Sequence, residues 1–285
     1  MTIDRGAAMK RSGLVPALAA ASLVLAGCST SGDTSASPSS ASSATAGVPL
    51  SLVVIGDSIP YNAQSDCPNC RGFVTRYAEA LAEGTGREVV TTNRSQHTGL
   101  TLPGLMRELP DLRDELSGAD VIIIGIAHNS FPLNDEAPCG SPVDPATGSI
   151  EDWSRVDETC AAQATTTSRP VFDELYSTVA RWRAGTPTIL LTVNRYNDWI
   201  GFDGAQLTPA QAARTVLLHD AWNTMLCDSA ESNGFDCVDV YHAFNGDDGS
   251  EPSADLLADD YTHPSQLGND EIARLLTARG YAPLG

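Results

Sequence analysis

Short apolar runs alternate along this chain with segments of helical spacing, and that alternation constrains the fold more than any other feature. The runs at 50–55, 121–126, 188–193 and 238–241, with a β-prone stretch at 88–92, read as strands. Between them, 73–82, 101–116, 171–182, 208–232 and 266–278 have helical periodicity, and Pro209 stands in a first turn, where helices accept proline. Strands that are apolar on both faces and separated by helices imply a parallel sheet covered on each side. The expected architecture is a three-layer α/β/α domain with a five-stranded parallel sheet. Ligands of such sheets sit at the carboxyl ends of the strands, near a topological switch point. The stretch 130–168 lacks clear periodicity and reads as an excursion over that edge, braced by its two cysteines.

The amino-terminal region does not share this pattern. Lys10 and Arg11 precede an apolar run over 14–26, which is too short for a permanent membrane span but suits an export signal. The run ends in Leu25-Ala26-Gly27-Cys28, which resembles a bacterial lipoprotein lipobox. The resemblance implies cleavage before Cys28 and lipidation of its thiol, anchoring the mature protein to the outer face of the cell membrane through acyl chains alone. From 29 to 47 the chain is almost wholly small and polar, as in a flexible tether. The expected organisation is a signal peptide at 1–27, a lipidated tether at 28–47 and a folded domain at 48–285.

Setting Cys28 aside leaves Cys67, Cys70, Cys139, Cys160, Cys227 and Cys237, an even set that favours disulfides in an exported chain. Six cysteines allow fifteen pairings, among which sequence does not choose. The local pairs, Cys67 with Cys70, Cys139 with Cys160 and Cys227 with Cys237, are the favoured ones. The first pair also has the spacing of a redox motif, although the strand before it already delivers a different motif. The formal net charge of -19 opposes binding to nucleic acid or docking on anionic headgroups and leaves neutral sugars and neutral esters as compatible ligands.

Gly56-Asp57-Ser58 follows the first strand directly, so Ser58 stands at the carboxyl edge near the next helix. Each of these residues also suits an ordinary turn. Near the other end is Asp260-Tyr261-Thr262-His263. A serine hydroxyl is a poor nucleophile until a base removes its proton, and imidazole is that base when a carboxylate fixes its tautomer. The spacing lets Asp260 and His263 come from one turn, as it would in a solvated acidic loop.

Together these elements resemble the SGNH, or GDSL, hydrolase family, whose blocks occur in order from Val53 to Leu276. The resemblance implies a flavodoxin-like SGNH hydrolase fold, ester hydrolysis with Ser58 as nucleophile, and Asp260 and His263 as its charge partners. It further places Gly99, after the second strand, and Asn129, after the third, in an oxyanion hole with the Ser58 N–H. Donors aimed at developing charge are often the largest catalytic contribution. Two departures stand out. The family's third block is usually Gly-x-Asn-Asp, whereas this chain has Ala127-His128-Asn129-Ser130, and Gly104 competes with Gly99 for the second block.

His97 and His128 fall in loops near this edge, where either could meet substrate or make a structural hydrogen bond; His219 and His242 receive no role. The acidic loop at 245–251 has incomplete calcium-loop spacing and reads as a turn. Neither a metal nor another cofactor is expected, because no His and Cys cluster has ligand spacing and no glycine-rich phosphate loop follows a strand. The expected partner is a small-molecule or glycan ester met by a monomer. The competing reading is a carbohydrate-binding surface protein that keeps the fold without catalysis, which would not need serine, histidine, aspartate and asparagine together.

Overall fold

The structure is a computed structural model that describes residues 47–97, 99–133, 138–140, 153–201 and 207–284. The expected signal peptide, Cys28 and the tether up to residue 46 lie outside the described residues.

Five strands form one all-parallel sheet: β1 (Leu50–Gly56), β2 (Val89–Asn93), β3 (Val121–Gly125), β4 (Ile189–Val193) and β5 (Asp236–Val238), in the order β2-β1-β3-β4-β5. The helices are α1 (Ser58–Tyr61), α2 (Phe73–Thr85), α3 (Leu102–Glu108), α4 (Arg113–Gly118), α5 (Glu158–Trp182), α6 (Pro209–Ser232), α7 (Val240–Asn245) and α8 (Gln266–Thr277). Successive strand side chains point to opposite faces. Leu52 and Val54 of β1 therefore join a core with Phe73 and Tyr77 of α2 and Ile272 and Leu276 of α8. Val53 and Ile55 join a second core with Leu105 of α3, Phe172 and Leu175 of α5, and Leu218 and Trp222 of α6. Both faces of the sheet are covered, which is why the central strands are apolar at nearly every position. The edge strand β2 is only half covered, and its Val90 is exposed.

Three segments differ from the sequence expectation. The helix expected over 101–116 is broken into α3, a 3-10 turn at Leu109–Leu112 and α4, because Pro110 cannot donate the backbone bond that a continuous helix requires. The helix expected to start at 171 starts at Glu158, which shortens the irregular excursion. Asp157 caps it by accepting the Cys160 N–H at 2.8 Å, and buried Cys160, Ala161 and Ala164 hold the added turns to the core despite a threonine run of modest helix propensity. The last strand occupies Asp236–Val238, not 238–241, since Asp239 accepts the His242 N–H at 3.1 Å and begins α7 instead.

Disulfides join Cys67 to Cys70 between α1 and α2, Cys139 to Cys160 at the start of α5, and Cys227 of α6 to Cys237 of β5. No helix among the described residues is long and apolar enough to cross a membrane.

The strand order places a switch point between β1 and β3, from whose ends the chain departs to opposite faces. Gly56 and Gly125 are register partners there. A Cβ on Gly56 would stand 2.1 Å from the Gly125 carbonyl oxygen, so the approach of the two strand ends requires glycine. The Asp57 N–H donates to that same oxygen at 2.9 Å. Whatever follows β1 is thereby held against whatever follows β3.

Candidate active site

Ser58 is the first residue of α1, a single turn that ends at Asn62 in the left-handed conformation (φ 55°). Asp57 caps this turn, with Oδ1 accepting the Ile59 N–H at 3.1 Å. Its other oxygen accepts the backbone N–H groups of His128 at 3.0 Å and Asn129 at 3.4 Å. Asp57 is fully buried, and burial pushes its carboxyl up to about 6 against the opposing effect of these N–H groups and of Arg195. The sequence marked Asp57 as a turn residue; its bridging role depends on the neighbouring strand, which local sequence does not reveal.

His263 comes from the far end of the chain. Asp260 Oδ1 accepts the N–H groups of Thr262 at 3.0 Å and His263 at 2.9 Å, closing a tight turn in which Tyr261 has φ 58°. The buried Tyr196 donates its hydroxyl to the Thr262 carbonyl at 2.5 Å, and the Ala258 N–H donates to the His263 carbonyl at 2.8 Å. The turn is thus fixed from both sides. Asp260 Oδ2 lies 2.6 Å from His263 Nδ1, and His263 Nε2 lies 2.9 Å from Ser58 Oγ. A proton on Nδ1 facing the carboxylate leaves Nε2 as the acceptor facing the serine. Partial burial alone would raise the Asp260 carboxyl, but hydrogen bonds from the His263 N–H, the imidazole and the Thr262 N–H outweigh it and hold the group below its ordinary value.

Asn129 stands in the loop after β3, and its side-chain nitrogen is buried without a hydrogen-bond partner among the described residues. An unused donor in that position is available to a ligand. Gly99 lies in the loop after β2 at φ 73°, with nothing within 4 Å of the Cβ it lacks. Glycine there serves the left-handed backbone, not a tight approach. Gly104 lies in the first turn of α3, packed against Leu100 at the end of that loop. At the departure from the family's third block, Ser130 Oγ accepts the Leu102 N–H at 2.6 Å, tying the loop after β3 to the start of α3.

The remaining histidines divide between site and scaffold. His97 Nε2 lies 3.1 and 3.0 Å from the two oxygens of Asp66, and Asp66 Oδ2 lies 3.4 Å from His263 Nε2. Asp66 carried no sequence signal. The half-buried His128 packs its ring 4.4 Å from that of Tyr196, and burial, with the charge of Arg195, pushes it well below its ordinary value. His219, fully buried in α6, donates from Nδ1 to the Thr215 carbonyl at 2.7 Å and turns Nε2 to the Arg195 guanidinium. The acidic loop at 245–251 closes on itself, with Asp248 accepting the Ser250 hydroxyl at 2.6 Å and the Glu251 N–H meeting the Asn245 carbonyl at 2.8 Å. Asp66, Asp260 and His263 bring one potential ligand atom each within 4.8 Å of one another, the single such group among the described residues. Both ring nitrogens of His263 are already engaged, by Asp260 and Ser58.

Residues 54–270 match the GDSL-like lipase/acylhydrolase family. The chain belongs to that family. Membership makes it a serine ester hydrolase of the SGNH/GDSL type, on an α/β fold also seen in solved relatives. The lipase Lip_vut3 from a goat rumen metagenome superposes with a TM-score of 0.61 at 19% identity, covering 83% of this chain and 100% of that one. Phospholipase A1 from Streptomyces albidoflavus gives 0.55 at 16% identity, over 82% and 100% of the two chains. An acetyl xylan esterase from Geobacillus stearothermophilus gives 0.52 at 17%, over 83% and 97%. No curated protein matches the chain.

The buried carboxylate beside Ser58 has a measurable signature. Unfolded, Asp57 titrates near 3.8, and in the fold at about 6. Between these values the fold binds more protons than the unfolded chain, so the residue's favourable contribution is full below about 3.8 and lost as pH rises through about 6. Asp57→Asn has no proton to lose. Its Tm relative to wild type is expected to rise by roughly 6–12 °C between the two limits and then stay flat, measured by calorimetry across pH. Two parallel Tm curves would contradict it.

Proposed function

We propose that this hydrolase is an exported, lipid-anchored esterase that works through a Ser58, His263 and Asp260 triad. The observation that supports it most is the continuous hydrogen-bonded line from Ser58 Oγ through both imidazole nitrogens to the Asp260 carboxylate, at 2.9 and 2.6 Å. Ser58 attacks the ester carbonyl as His263 Nε2 takes its proton, and Asp260 stabilises the imidazolium. The tetrahedral oxyanion is met by the N–H groups of Ser58 and Gly99 and by the Asn129 amide, whose nitrogen has no partner among the described residues. Collapse of that intermediate passes the proton to the departing alcohol, and water then repeats the sequence on the acyl-enzyme with His263 as base.

The substrate class we favour is a neutral ester of the cell envelope, either an acyl sugar or a short-chain lipid ester. The acidity of the chain supports a neutral substrate. The fold relatives include proteins named as lipase, phospholipase A1 and acetyl xylan esterase, so fold alone does not choose among acyl or alcohol groups. Export and anchoring rest on the 14–26 apolar run and Cys28, and three disulfides accord with an oxidising compartment.

Ser58→Ala is expected to abolish hydrolysis of aryl acyl esters and labelling by a fluorophosphonate, with an unchanged circular dichroism spectrum. Activity within twofold of wild type would move the nucleophile elsewhere. Asn129→Ala should lower kcat by about a hundredfold or more and change KM far less, because an oxyanion contact strengthens in the transition state. A structural asparagine would instead lower Tm and leave the rate per active site nearly intact. Cys28→Ser should shift the protein from the membrane to the soluble fraction on cell fractionation, and a wild type already wholly soluble would contradict the anchor.

A further inference from the structure

Asp66 has no part in the triad, yet its carboxylate touches the nitrogen of His263 that faces the serine. Its position is built. The Asp66 N–H and the Cys67 N–H both reach the Ala63 carbonyl, at 3.1 and 3.4 Å, and Ser65 donates its hydroxyl to Asp66 Oδ1 at 3.0 Å. The Cys67–Cys70 disulfide closes the loop behind it, while Gln64 accepts the Asn69 N–H at 2.9 Å and donates to the Cys70 carbonyl at 3.0 Å. The Asp66 side chain is only 12% exposed, and His97 Nε2 reaches both of its oxygens. A cleft of about 560 Å³ opens between this loop and the loop carrying Asp260, with Asp66, Pro68, Leu257 and Ala258 on its walls.

Resting on the proposed esterase mechanism, we infer that Asp66 and His97 select the alcohol half of the ester, and that the selected alcohol carries a hydroxyl next to the esterified oxygen. Collapse of the tetrahedral intermediate breaks the bond between carbonyl carbon and alcohol oxygen, and the proton held on His263 Nε2 passes to that oxygen. The departing oxygen must therefore lie within hydrogen-bond reach of Nε2, which is where Asp66 Oδ2 already stands, 3.4 Å away. A neighbouring hydroxyl on the alcohol finds a carboxylate acceptor there, steadied by the His97 ring. A plain alkyl alcohol would displace water from Asp66 and offer nothing in return. An alcohol bearing a phosphate would bring like charge beside Asp66 and Asp260, whose carboxylates both reach His263, and be repelled. The geometry favours a neutral polyol ester, such as an acylated sugar or glycerol, over a simple alkyl or phosphorylated one.

The test uses the full-length protein and the acyl group it turns over fastest as an aryl ester. The 2-hydroxyethyl and n-propyl esters of that acid differ in a single terminal group, hydroxyl against methyl. Wild type is expected to favour the hydroxyethyl ester by roughly tenfold or more in kcat/KM, the range for one hydrogen bond to a charged group. In Asp66→Ala that ratio should collapse toward 1, through loss on the hydroxyethyl ester; Asp66→Asn should keep part of it, and His97→Ala should lower it. A purely structural role would lower both esters alike and leave the ratio standing. That result, or a wild-type ratio within twofold of 1, overturns the assignment while leaving the esterase intact. Failure to turn over any aryl ester overturns the esterase reading itself and this inference with it.

Discussion

The carboxylate of Asp57 carries more of the site's geometry than any other group, although it is out of reach of solvent. Its two oxygens accept three backbone N–H groups, one from the helical turn that begins with Ser58 and two from the loop holding Asn129. Burying a carboxylate is costly, and its elevated titration point records that cost. Without it, however, three N–H groups would face the interior unpaired at the point where two strand ends meet. Ser130 extends the arrangement by accepting the first N–H of α3. The segments after β1 and β3 and the start of α3 thus form one hydrogen-bonded unit.

The histidine is held by separate means. Ser58 and His263 are 205 residues apart, so their 2.9 Å contact depends on how the last helix docks. Buried Asn269 of α8 accepts the Phe73 N–H at the start of α2 and donates to the carbonyls of Pro264 and Ser265, immediately after the histidine. A Cβ on Gly268 would stand 2.1 Å from the Leu256 carbonyl oxygen, so α8 lies directly against the strand of chain leading into the Asp260 turn. Packing of α8 on α2 is therefore converted into a fixed position for one imidazole. Preorganisation of this kind holds two groups in contact without a search.

The strands were legible because burial on both faces writes itself as an apolar run, and the core of the sheet needs nothing else. What local pattern missed turned on single residues. Pro110 breaks a helix whose apolar spacing continues across it, and Asp157 with Cys160 starts α5 well before its periodicity becomes clear. Of the candidate site, Ser58, Asp260 and His263 stood out through their order and their likeness to the family's blocks, and the structure brings the three within hydrogen-bond reach of one another. Asp57 was visible as a letter but not as a bridge, because its partners at 128 and 129 arrive through strand pairing. Asp66 was not readable at all, since a short disulfide-closed loop carries it to the imidazole.

The chain itself contains a comparison that separates spacing from site. Asp239 and His242 repeat the separation of Asp260 and His263, and each aspartate accepts both the N–H of its own histidine and a 2.6 Å contact from that ring's Nδ1. Locally the two pairs are alike. Asp239, however, is spent as the cap of α7 and accepts a further bond from the Asn194 amide at 3.0 Å. The His242 side chain is 44% exposed, while that of His263 is 17% exposed, with Ser58 and Asp66 both at its Nε2. A three-residue spacing is enough to orient an imidazole; the carboxyl edge of β1, reached through the docking of α8, is what sets a serine hydroxyl 2.9 Å from it.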